Sequence, residues 1–98
     1  MTMLTAKADV ATEHASINLK KLCRHFGHKT EATFDDHQGE IRFPFGGVGQ
    51  LAAEGDRLTL TVRADNEEAL NRTEQVLASH LIRFAHKEDI QVQWQPLQ

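Results

Sequence analysis

Leu4, Ala6, Ala8 and Val10 fall on every second residue with Thr5, Lys7 and Asp9 between them, and a few residues later Ala15, Leu19, Leu22, Cys23 and Phe26 recur at helical spacing. This change of apolar period, from two to about 3.6, constrains the chain more than any other feature, because a half-buried strand and an amphipathic helix need different patterns. The change is then made again in the same order. "RLTLTVRA" (57–64) alternates, and Leu70, Thr73, Val76, Leu77, His80, Leu81 and Phe84 line a second helical stripe. Alternation resumes after each helix, in "TEATFD" after the first and in Ile90, Val92 and Trp94 after the second.

Punctuation supports these assignments. Thr12 is placed to cap the first helix and Gly27 to stop it, while Asp65 with Glu68 offers the second an acidic cap. Between Thr30 and Val62 the segments "TEATFD", "EIRFPF", "GQLAA" and "RLTLTVRA" are separated by "DHQG", "GGVG" and "EGD", each with a turn glycine, so they read as antiparallel hairpins. Pro96 is expected to end the last strand. The helix exits "FGHKTEATF" and "FAHKEDIQV" align without a gap at an offset of 84 − 26 = 58 residues, so the chain reads as two pseudo-repeated strand-helix-strand halves. The expected fold is α+β and two-layered: a mostly antiparallel sheet with both helices on one face, in the order β-α-β-β-β-β-α-β. With 98 residues and 40% hydrophobic content, residues 1–98 make a single domain.

The same phase places Lys7, Asp9, Glu31, Thr33, Arg42, Gln50, Thr59, Thr61, Arg63, Gln91 and Gln93 on the open face of the sheet, with no aromatic side chain for a base to stack on. A formal charge of −3 adds no field for phosphates or anionic lipid, so neither nucleic acid nor a membrane is an expected partner. No apolar run approaches the roughly 20 residues of a bilayer span. "MTMLTAKADV" lacks the apolar block of a secretion signal, and a lone cysteine makes no internal disulfide, so the expected compartment is the cytoplasm. "NRT" (71–73) matches a glycosylation acceptor but falls inside a helical pattern.

"MLTAKADVATEHASINLKKLCRHFGHK", "IRFPFG" and "HLIRFAHKEDIQVQW" together resemble a bacterial family known as domain of unknown function 2218. The resemblance covers essentially the whole chain, and the "LCRHFGHK" helix exit and the "HLIRFA" run toward Trp94 carry most of it. It implies no established activity. It does imply an association with siderophore-interacting flavoproteins, and hence with iron handling.

"LCRHFGHK" also sets Cys23, His25 and His28 in a spacing that suggests a metal, with His86 or Asp36 completing the shell. On a helix, however, Cys23 lies on the buried stripe and His25 points about 200° around the axis, so the two cannot share an ion. His25, His28 and His86 remain as candidates for iron or zinc, although no cofactor is predicted. The competing reading makes Phe26 and Phe84 core anchors, and His28 and His86 donors to the carbonyls and negative pole of each helix end. Cys23 is then a small buried hydrophobe, His80 a hydrogen-bonded core histidine, and His14 and His37 surface residues.

Catalysis finds little support. Ser16 and Ser79 are helical and lack a nucleophile elbow, and Asp35 and Asp36 point to opposite faces of a strand end. "FGGVG" (45–49) joins two strands and opens no helix, so it lacks the amides that hold a phosphate and reads as a hairpin turn. The expected function is therefore a non-catalytic accessory or binding module linked to iron or siderophore metabolism. It would take a small ligand or a siderophore-interacting flavoprotein through His25, His28, His86, Gly46 and Gly47. The alternative is a histidine-based metal-binding protein or metal-dependent enzyme.

Overall fold

The computed structural model describes residues 4–28 and 30–97. The first alternating run is strand β1 (Leu4–Ala11), followed by helix α1 (Ala15–Gly27), strands β2 (Glu31–Phe34), β3 (Gln38–Arg42), β4 (Val48–Glu54) and β5 (Arg57–Ala64), helix α2 (Glu67–Phe84) and strand β6 (Gln95–Leu97). This is the element order expected from the sequence. The strands form one sheet in the order β2-β3-β4-β5-β1-β6, and every neighbouring pair is antiparallel. It follows that β1 runs parallel to β2, and β5 to β6, so each helix crosses between parallel strands that are not neighbours.

Both helices lie on one face. α1 covers β2 to β5, α2 covers β5, β1 and β4, and the helices touch each other. Leu19, Leu22 and Cys23 of α1 and Leu77 and Leu81 of α2 meet Val10, Ile41, Leu58, Leu60 and Val62 of the sheet, all fully buried. Each of the large aliphatic side chains contributes about 1.5–3 kcal/mol by leaving water. α2 seats on glycine: a Cβ at Gly49 would stand 2.8 Å from Leu77 Cδ1, and one at Gly47 would collide with the Thr73 hydroxyl. Gly47 and Gly49 therefore set how closely α2 approaches the sheet.

Several boundaries differ from expectation. The α2 cap is Asn66, whose Oδ1 accepts from the Ala69 N–H at 2.8 Å, because an Asn in extended conformation (φ −148°) reaches the first turn from the boundary itself. At α1 the N-cap position is His14, and Thr12 acts two residues earlier. Its hydroxyl accepts from the His14 N–H and the buried Asn18 amide, both at 3.2 Å, and donates to the Glu88 carboxylate at 2.9–3.0 Å. Gly27 is the last residue of α1 and has no positive φ. The exit is closed by Thr30, whose N–H and hydroxyl both donate to the Phe26 carbonyl, at 2.8 and 2.7 Å. That carbonyl is satisfied by Thr30 and not by an imidazole. Pro44 ends β3 at Arg42, earlier than the run "EIRFPF" suggests.

The last strand is shorter and later than its alternation implies. Ile90, Val92 and Trp94 do pack half-buried on the core while Gln91, Gln93 and Gln95 are exposed, but pairing begins only at Gln95. Pro96 lies within β6, opposite Ala6, and not after it. Its missing N–H is tolerated because β6 is an edge strand. Phe34, expected on the inward phase, is 38% exposed at the end of the other edge strand, with the Arg24 guanidinium 5.8 Å from its ring centre.

Candidate functional site

The two helices present an outer surface whose charge departs from that of the chain as a whole. No carboxylate occurs between Ala15 and Thr30, or between Gln75 and Lys87, although the protein carries a net −3. These two segments lie side by side, because the amino end of α1 meets the exit of α2. Lys20 is neutralised by Asp36 at 3.0 Å. Lys21, Arg24, Arg83 and Lys87 are exposed.

Where α1 begins and α2 ends, the surface opens into a groove of about 570 Å³. Ile17 and Phe84 supply apolar wall, and His14, Lys21, His86 and Lys87 supply donors. Ile17 is 49% exposed, so the groove gives an apolar group somewhere to rest. Glu13 and Glu88 also line it, and Glu88 is already engaged. Its carboxylate is held below the usual carboxylate range chiefly by the Thr12 hydroxyl, and also by the Glu13 N–H at 3.2 Å. An anion that also carries apolar carbon would meet complementary chemistry here.

Further along the α1–α2 seam, His25 and the half-buried His80 face each other with ring centres 4.9 Å apart. His80 Nδ1 lies 2.7 Å from the Val76 carbonyl. A carbonyl only accepts, so the proton of the neutral ring sits on Nδ1 and its Nε2 carries the lone pair. Phe26 and Phe84 flank the pair at 4.9–6.3 Å. The ring contacts continue from Phe26 to Phe43 and on to Phe45, over which the Arg72 guanidinium sits at 4.6 Å.

The three candidate histidines singled out from the sequence occupy three separate places. His86 lines the groove beside His14. His28 is exposed at the C-cap of α1, 28 − 14 = 14 residues further on, or roughly 20 Å at the helical rise. His25 lies between them, beside His80. Among the described residues, no three His, Cys, Asp or Glu side chains are grouped to hold a metal. Gly46 and Gly47 belong to the β3–β4 turn, in which the Phe43 N–H donates to Gly47 O and the Gly46 N–H to Phe43 O. Gly46 has φ +100°, and Gly47 is buried under Thr73. That turn lies near the amino half of α2, away from the groove. Cys23 is fully buried, and burial pushes its thiol up to about 11. Asp35 accepts from the N–H groups of His37 and Gln38 at 2.8 Å each, which makes it a turn residue.

The groove itself went unread in the sequence. Its walls are about 70 positions apart, and only the antiparallel packing of the helices joins them. From sequence alone His80 reads as a core histidine, and the signal for its pairing with His25 lies in the same packing.

Comparison with known proteins agrees with this architecture. A family model described as an uncharacterised protein conserved in bacteria, DUF2218, matches residues 7–95. The chain belongs to that family. A solved relative is the NMR structure of PA4090 from Pseudomonas aeruginosa, 30% identical in sequence, with the match covering 94% of this chain and 95% of that one at a TM-score of 0.80. Among curated proteins nothing matches. DUF2218 is thus a bacterial α+β family, and the description of its model states no activity. No helix among the described residues is long and apolar enough to cross a membrane.

Proposed function

We propose that this DUF2218 protein is a non-catalytic accessory module that binds a small anionic ligand in the groove between α1 and the exit of α2. The observation that carries the reading is the pairing of Lys21, His86 and Lys87 with the apolar walls Ile17 and Phe84 in one groove of about 570 Å³. With Glu88 engaged by Thr12, the lysines and imidazoles of a partly apolar groove suit an organic anion. The serine hydroxyls favour binding over catalysis: Ser16 donates to the Asp36 carbonyl at 2.7 Å and Ser79 to the Val76 carbonyl at 3.3 Å, and the imidazole nitrogen 3.5 Å from Ser79, His80 Nδ1, carries its proton toward the same carbonyl.

The link to iron comes from the family resemblance. An anionic iron chelate, or the chelator itself, is the ligand class that the groove chemistry and this association share. A siderophore-interacting flavoprotein is the corresponding partner, and the cytoplasm the corresponding compartment. The test is mapping of backbone amide shifts in the untagged protein during titration with citrate and with gallium citrate, a diamagnetic stand-in for the ferric complex. The expected result is saturable shifts confined to Glu13–Lys21 and Phe84–Glu88. Shifts confined to the open sheet face or the β3–β4 turn, or none at millimolar ligand, would overturn the assignment.

A further inference from the structure

The His25–His80 pair is a second feature of the helix layer, distinct from the groove. We infer that these two imidazoles, one from each helix, form a bidentate site for a divalent transition-metal ion. The geometry supports this. With imidazole nitrogens about 2.0–2.1 Å from an ion and about 90–109° between them, the ring centres of two cis ligands fall roughly 4.5–5.2 Å apart. Their observed separation is 4.9 Å, and the 43° between ring planes suits two rings fanned about one ion.

The outer partner of His80 supports it as well. A ligating histidine commonly donates its other ring N–H to a backbone carbonyl, which fixes the tautomer and raises the basicity of the coordinating nitrogen. His80 does so to Val76 O at 2.7 Å. The aromatic edges of Phe26 and Phe84 hold the rings in place, since Phe84 packs against both imidazoles and Phe26 lies 4.9–5.0 Å from each. Imidazole donors suit zinc, copper and nickel, and the remaining coordination positions would face solvent on the His25 side, which is exposed. An ion here would tie α1 to α2.

The test uses the untagged full chain titrated with Zn²⁺, and separately with Ni²⁺, followed by calorimetry, thermal unfolding and the ring-carbon proton signals of the six histidines. The expected result is one ion per chain, a rise in Tm that EDTA reverses, and shifts at His25 and His80. Because His25 is exposed, His25→Ala will fold, and it should weaken binding by about tenfold or more, since even an outer-shell change costs that much. His80→Gln should do the same, while His28→Ala and His86→Ala should leave affinity unchanged. Absence of one-to-one binding, binding that survives His25→Ala, or loss in His28→Ala or His86→Ala would each overturn the site.

Discussion

Gly49→Ala is a stringent probe of how α2 sits on the sheet. The new methyl group would stand 2.8 Å from Leu77 Cδ1, 3.7 Å from Cγ and 3.8 Å from Cδ2. Leu77 is fully buried and cannot swing aside, so α2 must lift or the leucine must leave its rotamer. Overpacking of this kind costs about 1–3 kcal/mol. Against it, replacing glycine by alanine restricts the unfolded chain and returns about 0.4–1 kcal/mol. The net expectation is a loss of roughly 0.5–2 kcal/mol. Leu77→Ala alone should cost about 2–5 kcal/mol by leaving a cavity. In the double variant the added methyl enters that cavity, so the combined loss should fall short of the sum by about 1 kcal/mol or more. Urea unfolding of the four proteins at constant m-value measures this cycle. A neutral or stabilising Gly49→Ala, or strict additivity with Leu77→Ala, would refute the proposed seating of α2 on β4.

Two other expectations follow from named contacts. The Glu88 carboxylate is held below its ordinary range by Thr12 and the Glu13 N–H, so its contribution to stability is present above the ordinary carboxylate pKa and is lost as pH falls through the lowered folded value. Thr12→Val should remove that dependence, so the stability gap between wild type and variant should narrow as the protein is acidified, as read by denaturant unfolding across the acid range. A gap that widens on acidification would contradict the sign. Cys23, fully buried with its thiol pushed up to about 11, should resist bulky thiol reagents in the native protein and react only as fast as the protein opens; prompt labelling would place it on the surface.

How far the sequence could be read depended on the range of the interaction involved. Periodicity is local, so the stripes through Leu19, Leu22 and Cys23 and through Thr73, Leu77 and Leu81 marked the helix faces that are in fact buried. The alternating phases of β1 and β5 likewise marked the sheet face beneath them. Caps were less legible. Asp65 and Asn66 are both competent, and the backbone decided for Asn66. Thr30 closes α1 through a hydroxyl that no glycine rule points to. Long-range features were not legible at all. Thr12, Asn18 and Glu88 form one hydrogen-bonded group across 76 positions, the groove joins Lys21 to His86, and His25 meets His80. The candidate histidines His25, His28 and His86 thus lie in three separate places.

The claim that the α1–α2 groove is the binding site is tested most directly by calorimetric titration of citrate into wild type, Lys21→Glu with Lys87→Glu, and Arg57→Glu as a single charge reversal at an exposed position outside the groove. A charge-assisted contact is worth about 1.5–3 kcal/mol, and less where solvent reaches it, so reversing both lysines should weaken binding by at least about tenfold. Affinity in wild type should fall with added salt, and Arg57→Glu should bind as wild type does. Wild-type affinity in the double lysine variant, or equal weakening in Arg57→Glu, would contradict the groove as the site.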